Sequence, residues 1–272
     1  MSDPGQPDDP TQTEACTTPA KPRRSPWNVL EHLQFALVAL TVALFVITFI
    51  VQAFRIPSGS MEDTLLVGDY LLVDKTRLGP AGAWQFLLPY QAIHRGDIIV
   101  FHYPEDTAQH FVKRVIGLPG DRIRLRDGRA YIDGRALAEP YIVFKEHVPD
   151  PFRDDFPGGD WRDEDVSRHW AAQLHSLVKD GELTVPRDCY FVLGDNRDQS
   201  LDSRYWGFVP RQNVTGRPVL IYFSRVEAAE DAGDDDAAVA SGPANDKLFT
   251  LRARISHLLG DVRWRRILRL AP

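Results

Sequence analysis

Between Leu33 and Phe54 the chain reads LQFALVALTVALFVITFIVQAF, without a charged residue and with only Gln and Thr as polar groups. At helical rise this run matches the hydrocarbon thickness of a bilayer, which takes about 20 apolar residues to cross. A transmembrane helix over residues 33–54 is therefore expected, and a buried core helix accounts less well for the length. A cleaved leader would carry a shorter apolar core of about 7–15 residues, so the run is expected to be retained as an anchor even though Val51-Gln52-Ala53 suits a cleavage site. Lys21, Arg23 and Arg24 precede the run and favour a cytoplasmic amino terminus, against the single vote of Arg55 beyond it.

Such a span divides the remaining residues between two compartments, and the formal charge of −6 over 272 residues then says little about partners. Cys16 and Cys189 fall on opposite sides of it, which excludes an intrachain disulfide. Neither belongs to a C-x-x-C pattern or a His cluster, so no metal or redox centre is expected.

Residues 1–25 are rich in Pro, Asp, Thr and Gln and are expected to form a disordered tail, since they bury too little apolar surface to offset their ordering entropy. Residues 55–225 change character, with short runs such as YLLVDK, GDIIVFHY, HFVKRVIG and CYFVLGD separated by Gly, Pro and Asp. Their content of Val, Ile, Tyr and Phe predicts a mostly β domain. RDGRAYIDGR predicts a hairpin with turns at Asp127-Gly128 and Asp133-Gly134. The polar segment at about 143–186 is expected to be an inserted subdomain with a short helix near Ser167–Lys179. Residues 226–247 form an acidic low-complexity linker. Residues 248–272 are a basic amphipathic segment, for which lying on an anionic membrane and packing on the domain are equally open. The same two choices, lipid interface or core, hold for Ala81–Tyr90 with Trp84 and Phe86.

The chemistry centres on Ser58-Gly59-Ser60. A serine hydroxyl attacks only when a base takes its proton, and the usual base is His. The chain has no G-x-S-x-G elbow, and its histidines stand in no recognisable acid and serine context. A lysine serves as well if desolvation holds it neutral, far below its ordinary pKa of about 10.4. Lys113 in HFVKRVIG fits that requirement, since on a strand Phe111, Lys113 and Val115 share one face and Arg114 takes the other, but a solvated strand-edge charge is the commoner meaning of a lone strand lysine. Gly59 suits a tight turn that exposes Ser60 and frees its N–H for a developing oxyanion, with the Ser58 hydroxyl as a second donor, and a plain turn after the membrane helix is the commoner meaning of the same three residues.

PSGSM at 57–61, TLLVGDYLLVDK at 64–75, RGDIIVF at 95–101, VKRVIGLPGD at 112–121 and GDNRDQSLDSRYWGFVP at 194–210 occur in that order. Together they resemble the motifs of bacterial type I signal peptidases, membrane-anchored serine endopeptidases with a Ser/Lys dyad. The resemblance implies Ser60 as nucleophile, Lys113 as general base, and Ser58 with the Ser60 backbone as oxyanion hole. It implies that Ser200 hydrogen-bonds and orients the lysine. It also implies that Arg114, Asp195, Asp202 and Arg204 brace the site, with Arg114 paired to Asp195. Ile56, Pro57, Met61, Leu65, Phe111 and Val112 match positions of shallow substrate pockets that accept Ala-x-Ala, the peptide lying extended beside the lysine strand. Gln199 departs from the usual Asn of the last motif, and a second transmembrane helix is not found.

The same resemblance implies exported preproteins as substrates, membrane lipids as neighbours and the secretion translocon nearby. It implies no cofactor, no metal and no nucleic acid. It places a single-pass protein in the bacterial inner membrane with its catalytic domain on the periplasmic side. Ser60 lies close in sequence to Phe54, within roughly 20 Å even for extended chain, so a nucleophile there meets its substrate near the membrane. Ser176–Lys179 matches S-x-x-K of penicillin-binding enzymes, but S-D-N and K-T-G are absent. A self-cleaving repressor would need a DNA-binding domain, for which the short tail has no room. A non-enzymatic, membrane-anchored β scaffold is the remaining alternative.

Overall fold

The computed structural model of the chain describes residues 26–76, 91–145, 148–158, 166–226 and 261–271. The amino-terminal tail, Ala81–Tyr90 and the acidic linker lie outside the described residues, apart from Val226 at the linker's start. The chain divides into two compact units between Leu44 and Phe45.

The described part of the first unit is the helix α1, Pro26–Phe45, without its last residue. Proline at its start costs no hydrogen bond, because the first N–H groups of a helix have no partner within it. Leu33, Phe35 and Leu37 are all more than 60% exposed, a solvent-facing apolar surface that lipid would satisfy. Thr41 donates its hydroxyl to Leu37 O at 2.8 Å, so the polar group is satisfied within the helix. Residues Val29–Thr48 are long and apolar enough to cross a membrane, and no other helix among the described residues is.

The expected helix over residues 33–54 ends early. After Phe45 come a π-helical stretch, Val46–Ile50, and a strand β1, Val51–Arg55. β1 pairs antiparallel with β2, Asp69–Asp74, from Val51↔Asp74 to Arg55↔Tyr70. Apolar composition could not distinguish helix from strand here. The ladder to β2 decides it, and the β-branched Val51 suits the start of the strand.

The second unit is mostly β, as expected. Its further strands are β3 (Ile98–His102), β4 (His110–Gly117), β5 (Arg122–Arg126), β6 (Arg129–Ile132) and β7 (Arg135–Ala136). There follow β8 (Val178–Lys179), β9 (Glu182–Thr184), β10 (Cys189–Leu193), β11 (Val209–Pro210), β12 (Val214–Ser224) and β13 (Arg269–Leu270). One antiparallel sheet runs β1-β2-β12-β3-β4-β10-β11, with β13 also on β12, and a smaller one runs β7-β6-β5-β9-β8. β3 explains the uninterrupted run IIVF. Its alternate side chains serve two cores, Ile99 and Phe101 the larger, Ile98 and Val100 a smaller one shared with Ile56, Met61, Leu65 and Leu71.

Asp127-Gly128 and Asp133-Gly134 form the turns of β5-β6-β7, with φ of 50°, 72°, 49° and 76°. Two successive left-handed residues make the turn whose twist matches a hairpin, and Asp-Gly tolerates it. The segment at about 143–186 carries two helices, α2 (Pro151–Asp154) and α3 (Arg168–Leu177), the latter capped by Ser167. It is built into the domain: β9 pairs with β5, and Phe152, Phe156, Trp170, Leu174 and Leu183 belong to the larger core. Between β10 and β11 lies α4, Ser203–Trp206. Of the basic carboxy-terminal segment, residues 261–271 pack on the domain through a 3-10 turn, Trp264–Arg266, and through β13. This described part is a turn and a strand rather than a helix, because pairing with Leu220 and Ile221 of β12 satisfies its backbone.

Candidate active site

Ser60 sits in a 3-10 turn, Gly59–Met61, closed by Glu62 N–H donating to Gly59 O at 3.0 Å. The turn is seated from below by Met61 and Leu65, both buried, with Leu65 N–H donating to Met61 O at 2.8 Å. Gly59 is not among the residues of positive φ, so the turn does not draw on glycine's left-handed freedom. From the far side Asn196 clamps the turn twice, its N–H reaching Ser60 O at 3.1 Å and Nδ2 reaching Gly59 O at 3.3 Å.

Lys113 comes from the middle of β4, opposite Ile99 of β3. It is 4% exposed, and its Nζ lies 2.6 Å from Ser60 Oγ. Burial pushes the ammonium down to about 8; Asp202 and Asp195 pull it back up, while Arg204 adds to the depression. The strand alternation expected from sequence is present: Arg114 turns away from this contact and grips Asp195 with Nε at 2.8 Å and Nη2 at 2.6 Å. Arg114 also stacks 4.0 Å from the Tyr141 ring centre. Thr64, four residues after the nucleophile, donates its hydroxyl to Asp195 at 2.6 Å.

The chain from Gly194 to Arg204 packs against both groups. Asp202 starts α4 and accepts from Gly194 N–H at 3.1 Å and from Arg204 Nε and Nη2 at 2.8 Å each. Burial raises the Asp202 carboxyl, but the adjoining Arg204 guanidinium and these hydrogen bonds hold it below the usual carboxylate range. Arg204 in turn donates to Arg197 O at 3.0 Å, which ties the loop across itself. Arg114, Asp195, Asp202 and Arg204 are thus brought together around Lys113.

Ser200 is 5% exposed, and among the described residues its hydroxyl makes no hydrogen bond, including the expected one to Lys113. It stands against Gly194, where an added Cβ would come within 2.2 Å of Ser200 Oγ and 2.5 Å of Ser60 O. That close approach requires glycine at 194.

A groove of about 550 Å³ opens over the dyad, lined by Ile56, Pro57, Ser58, Met61, Phe111 and Val112 together with Ser60 and Lys113. Leu65 is the exception among the expected substrate contacts: it is fully buried in the smaller core and does not line the groove. β10 pairs with β4 only from Arg114 onward, which leaves the preceding residues of β4 with no strand on that edge among the described residues. An extended peptide can add there through its own backbone. Among the described residues no cluster of His, Cys, Asp and Glu could hold a metal ion.

Sequence reasoning missed Thr64, Glu139, Gly194, Asn196 and Arg197. Arg197 is fully buried, hydrogen-bonds Gly128 O and forms an ion pair with the buried Glu139. The available signal was charge density: DNRD follows directly on the apolar CYFVLG, and charges drawn into a core must find partners.

A family model described as signal peptidase, peptidase S26, matches residues 29–223. Signal peptidase I of Pseudomonas fluorescens is 34% identical over 214 residues, covering 72% of this chain and 73% of its own. Signal peptidase I of Leptolyngbya laminosa is 36% identical over 218 residues, covering 76% and 88%. A crystal structure of a signal peptidase I from Enterococcus faecalis is 32% identical and covers 47% of this chain and 97% of its own, with a TM-score of 0.31.

Proposed function

The chain belongs to the signal peptidase family, peptidase S26, and we propose that it cuts with Ser60 as nucleophile and Lys113 as general base. It is a serine endopeptidase that removes signal peptides from preproteins. The observation that carries the assignment of roles is the 2.6 Å contact between a buried amine and a buried hydroxyl.

In the reactive form the amine is neutral and the Ser60 hydroxyl donates to its lone pair. As Oγ attacks the scissile carbonyl, the proton passes to Nζ, and Asp202 and Asp195 offset the ammonium that forms. The Ser60 N–H and the Ser58 hydroxyl stabilise the tetrahedral oxyanion. Lys113 then gives its proton to the leaving amine, and a water repeats the cycle on the acyl-enzyme with Lys113 again as base. Each bracing carboxylate is matched by its own arginine, Asp202 by Arg204 and Asp195 by Arg114, so the site is held without a large net charge. Ser200 fills the space against Gly194 behind the nucleophile turn. The scheme uses no cofactor and no nucleic acid.

The substrate lies extended along the open edge of β4, with small side chains of an Ala-x-Ala sequence in the shallow apolar groove lined by Ile56, Pro57, Met61, Phe111 and Val112. The helix through Val29–Thr48 anchors the enzyme in a bacterial inner membrane as a single pass, amino terminus cytoplasmic and catalytic unit periplasmic, beside lipid and the translocon that delivers preproteins. A non-enzymatic scaffold would have no use for a lysine buried at the expense of its charge. Ser60→Ala and Lys113→Ala are each expected to abolish cleavage of an Ala-x-Ala preprotein in detergent with unchanged far-UV circular dichroism. Cleavage retained by either variant refutes the dyad.

A further inference from the structure

The loop from Ser60 to Asp69 carries the nucleophile at one end and enters β2 at the other. It turns through Asp63 at φ 71°, in the left-handed region, and is tethered beyond that point. The tether is Asp69. Its carboxylate is fully buried and accepts from Leu66 N–H at 2.9 Å and from the Ser224 hydroxyl at 2.6 Å. The positive charge that such a carboxylate requires comes from the far end of the chain. Arg266 donates Nη2 to Asp69 Oδ2 at 2.6 Å and Nε to Asp69 Oδ1 at 3.2 Å, and Arg263 lies 4.0 Å from Oδ1. The same Arg266 Nη2 reaches Thr64 O at 3.0 Å, and Arg263 Nη1 reaches Val67 O at 2.8 Å.

Thr64 is the meeting point. Its carbonyl is held by Arg266, its N–H donates to Met61 O at 3.1 Å beside the nucleophile, and its hydroxyl donates to Asp195, the partner of Arg114 on the lysine strand. One guanidinium therefore grips the segment that joins the Ser60 turn to the Asp195–Arg114 pair. The family match ends at residue 223, and this arginine lies beyond it. β13 holds the strap in place through Leu220↔Leu270 and Ile221↔Arg269.

We propose that Arg266, on the carboxy-terminal strap of residues 261–271, is a positioning residue for peptide cleavage: by gripping Asp69 and the Thr64 carbonyl together it sets the Ser60 turn against Lys113. The inference rests on the Ser60/Lys113 reading. Arg266 is distant in sequence from the nucleophile and touches neither reacting group. Its loss acts through a displacement of the nucleophile, which a dyad at 2.6 Å does not tolerate. The residue is arginine because two acceptors on different residues need the planar fork that lysine lacks.

The test uses the full chain in detergent and single-preprotein kinetics. Arg266→Ala is expected to lower kcat by about tenfold to a hundredfold while KM stays within about twofold. Added guanidinium ion restores part of that loss, and Arg269→Ala, an exposed position on the same strap, stays at wild-type kcat. Arg266→Ala with wild-type kcat, or with a lowered melting temperature as its sole defect, overturns the proposal. If Arg266→Ala does not fold, Arg266→Lys decides: it keeps a charge at Asp69 but cannot hold both acceptors, so reduced kcat supports the proposal and wild-type kcat overturns it. Ser60→Ala in the same assay separates the two readings. Cleavage by Ser60→Ala removes the dyad on which this inference rests, whereas an inert Ser60→Ala beside a fully active Arg266→Ala removes the inference alone.

Discussion

Replacing Lys113 by methionine should abolish cleavage and yet stabilise the protein at neutral pH. The side chain is buried, and its pKa falls from 10.5 to about 8, mainly because burial disfavours the ammonium. A shift of that size corresponds to about 3 kcal/mol of differential protonation energy between folded and unfolded chains. The folded pKa is depressed, so between pH 8 and 10.5 the unfolded chain binds the proton more readily and stability rises with pH. The penalty is complete below about pH 8 and is relieved as pH climbs through 10.5. Methionine has similar reach and no charge, and its packing does not titrate. The melting temperature of Lys113→Met relative to wild type should therefore be higher at pH 7 than at pH 10.5, by roughly 5–12 °C for a domain of this size. The assay is thermal unfolding of both proteins in one detergent at a common scan rate at the two pH values. A difference between the proteins that does not change with pH would show that Lys113 is not desolvated, and the derivation of its basicity would fall with it.

The same depression fixes the rate profile: with the neutral amine as base, kcat/KM for a preprotein should rise about tenfold from pH 7 to pH 9 and level off above, measured by initial rates in constant-ionic-strength buffers. A profile flat over this range with chemistry rate-limiting would contradict a titrating lysine. Arg197→Ala leaves Glu139 buried without its partner and should cost about 3–5 kcal/mol in urea unfolding, far more than a surface pair, so a loss below about 1 kcal/mol would deny the pair its structural role.

The proposed pair was suggested by residue type and singled out by the order of the motifs, through their resemblance to a known family. Serine beside glycine suits a turn, and Phe111 and Val115 share a strand face with Lys113, requirements that residue type displays locally even though a plain turn and a solvated strand-edge charge fit them too. The Asp-Gly turns of the hairpin were legible for the same reason, since few residues tolerate successive positive φ. Less local features escaped. Glu139 and Arg197 pair across 58 positions of chain, and neither residue signals its partner. Asn196 acts through its backbone N–H as well as its side chain, and a backbone group has no sequence signature. Leu65 was placed on the substrate surface by resemblance and lies in the core, one layer too deep.

The boundary of the apolar run shows where the division lies. Composition alone placed a helix able to cross a membrane within residues 33–54, because hydrocarbon demands apolar side chains over a set length and nothing more specific. Composition also determined that the rest is mostly β, while the ordered motifs and their family resemblance marked Ser60 and Lys113 as the reactive groups to test. Where the helix stops was decided by β2, which supplies hydrogen-bond partners to Val51–Arg55 that the chain cannot supply locally. The course of the basic carboxy terminus was likewise decided by a buried carboxylate at Asp69, far away in sequence. Side-chain chemistry and periodicity are properties of short stretches, and a sequence displays them directly. Partners for buried charges and strand edges exist only once distant segments have met, so the tertiary structure alone can assign them.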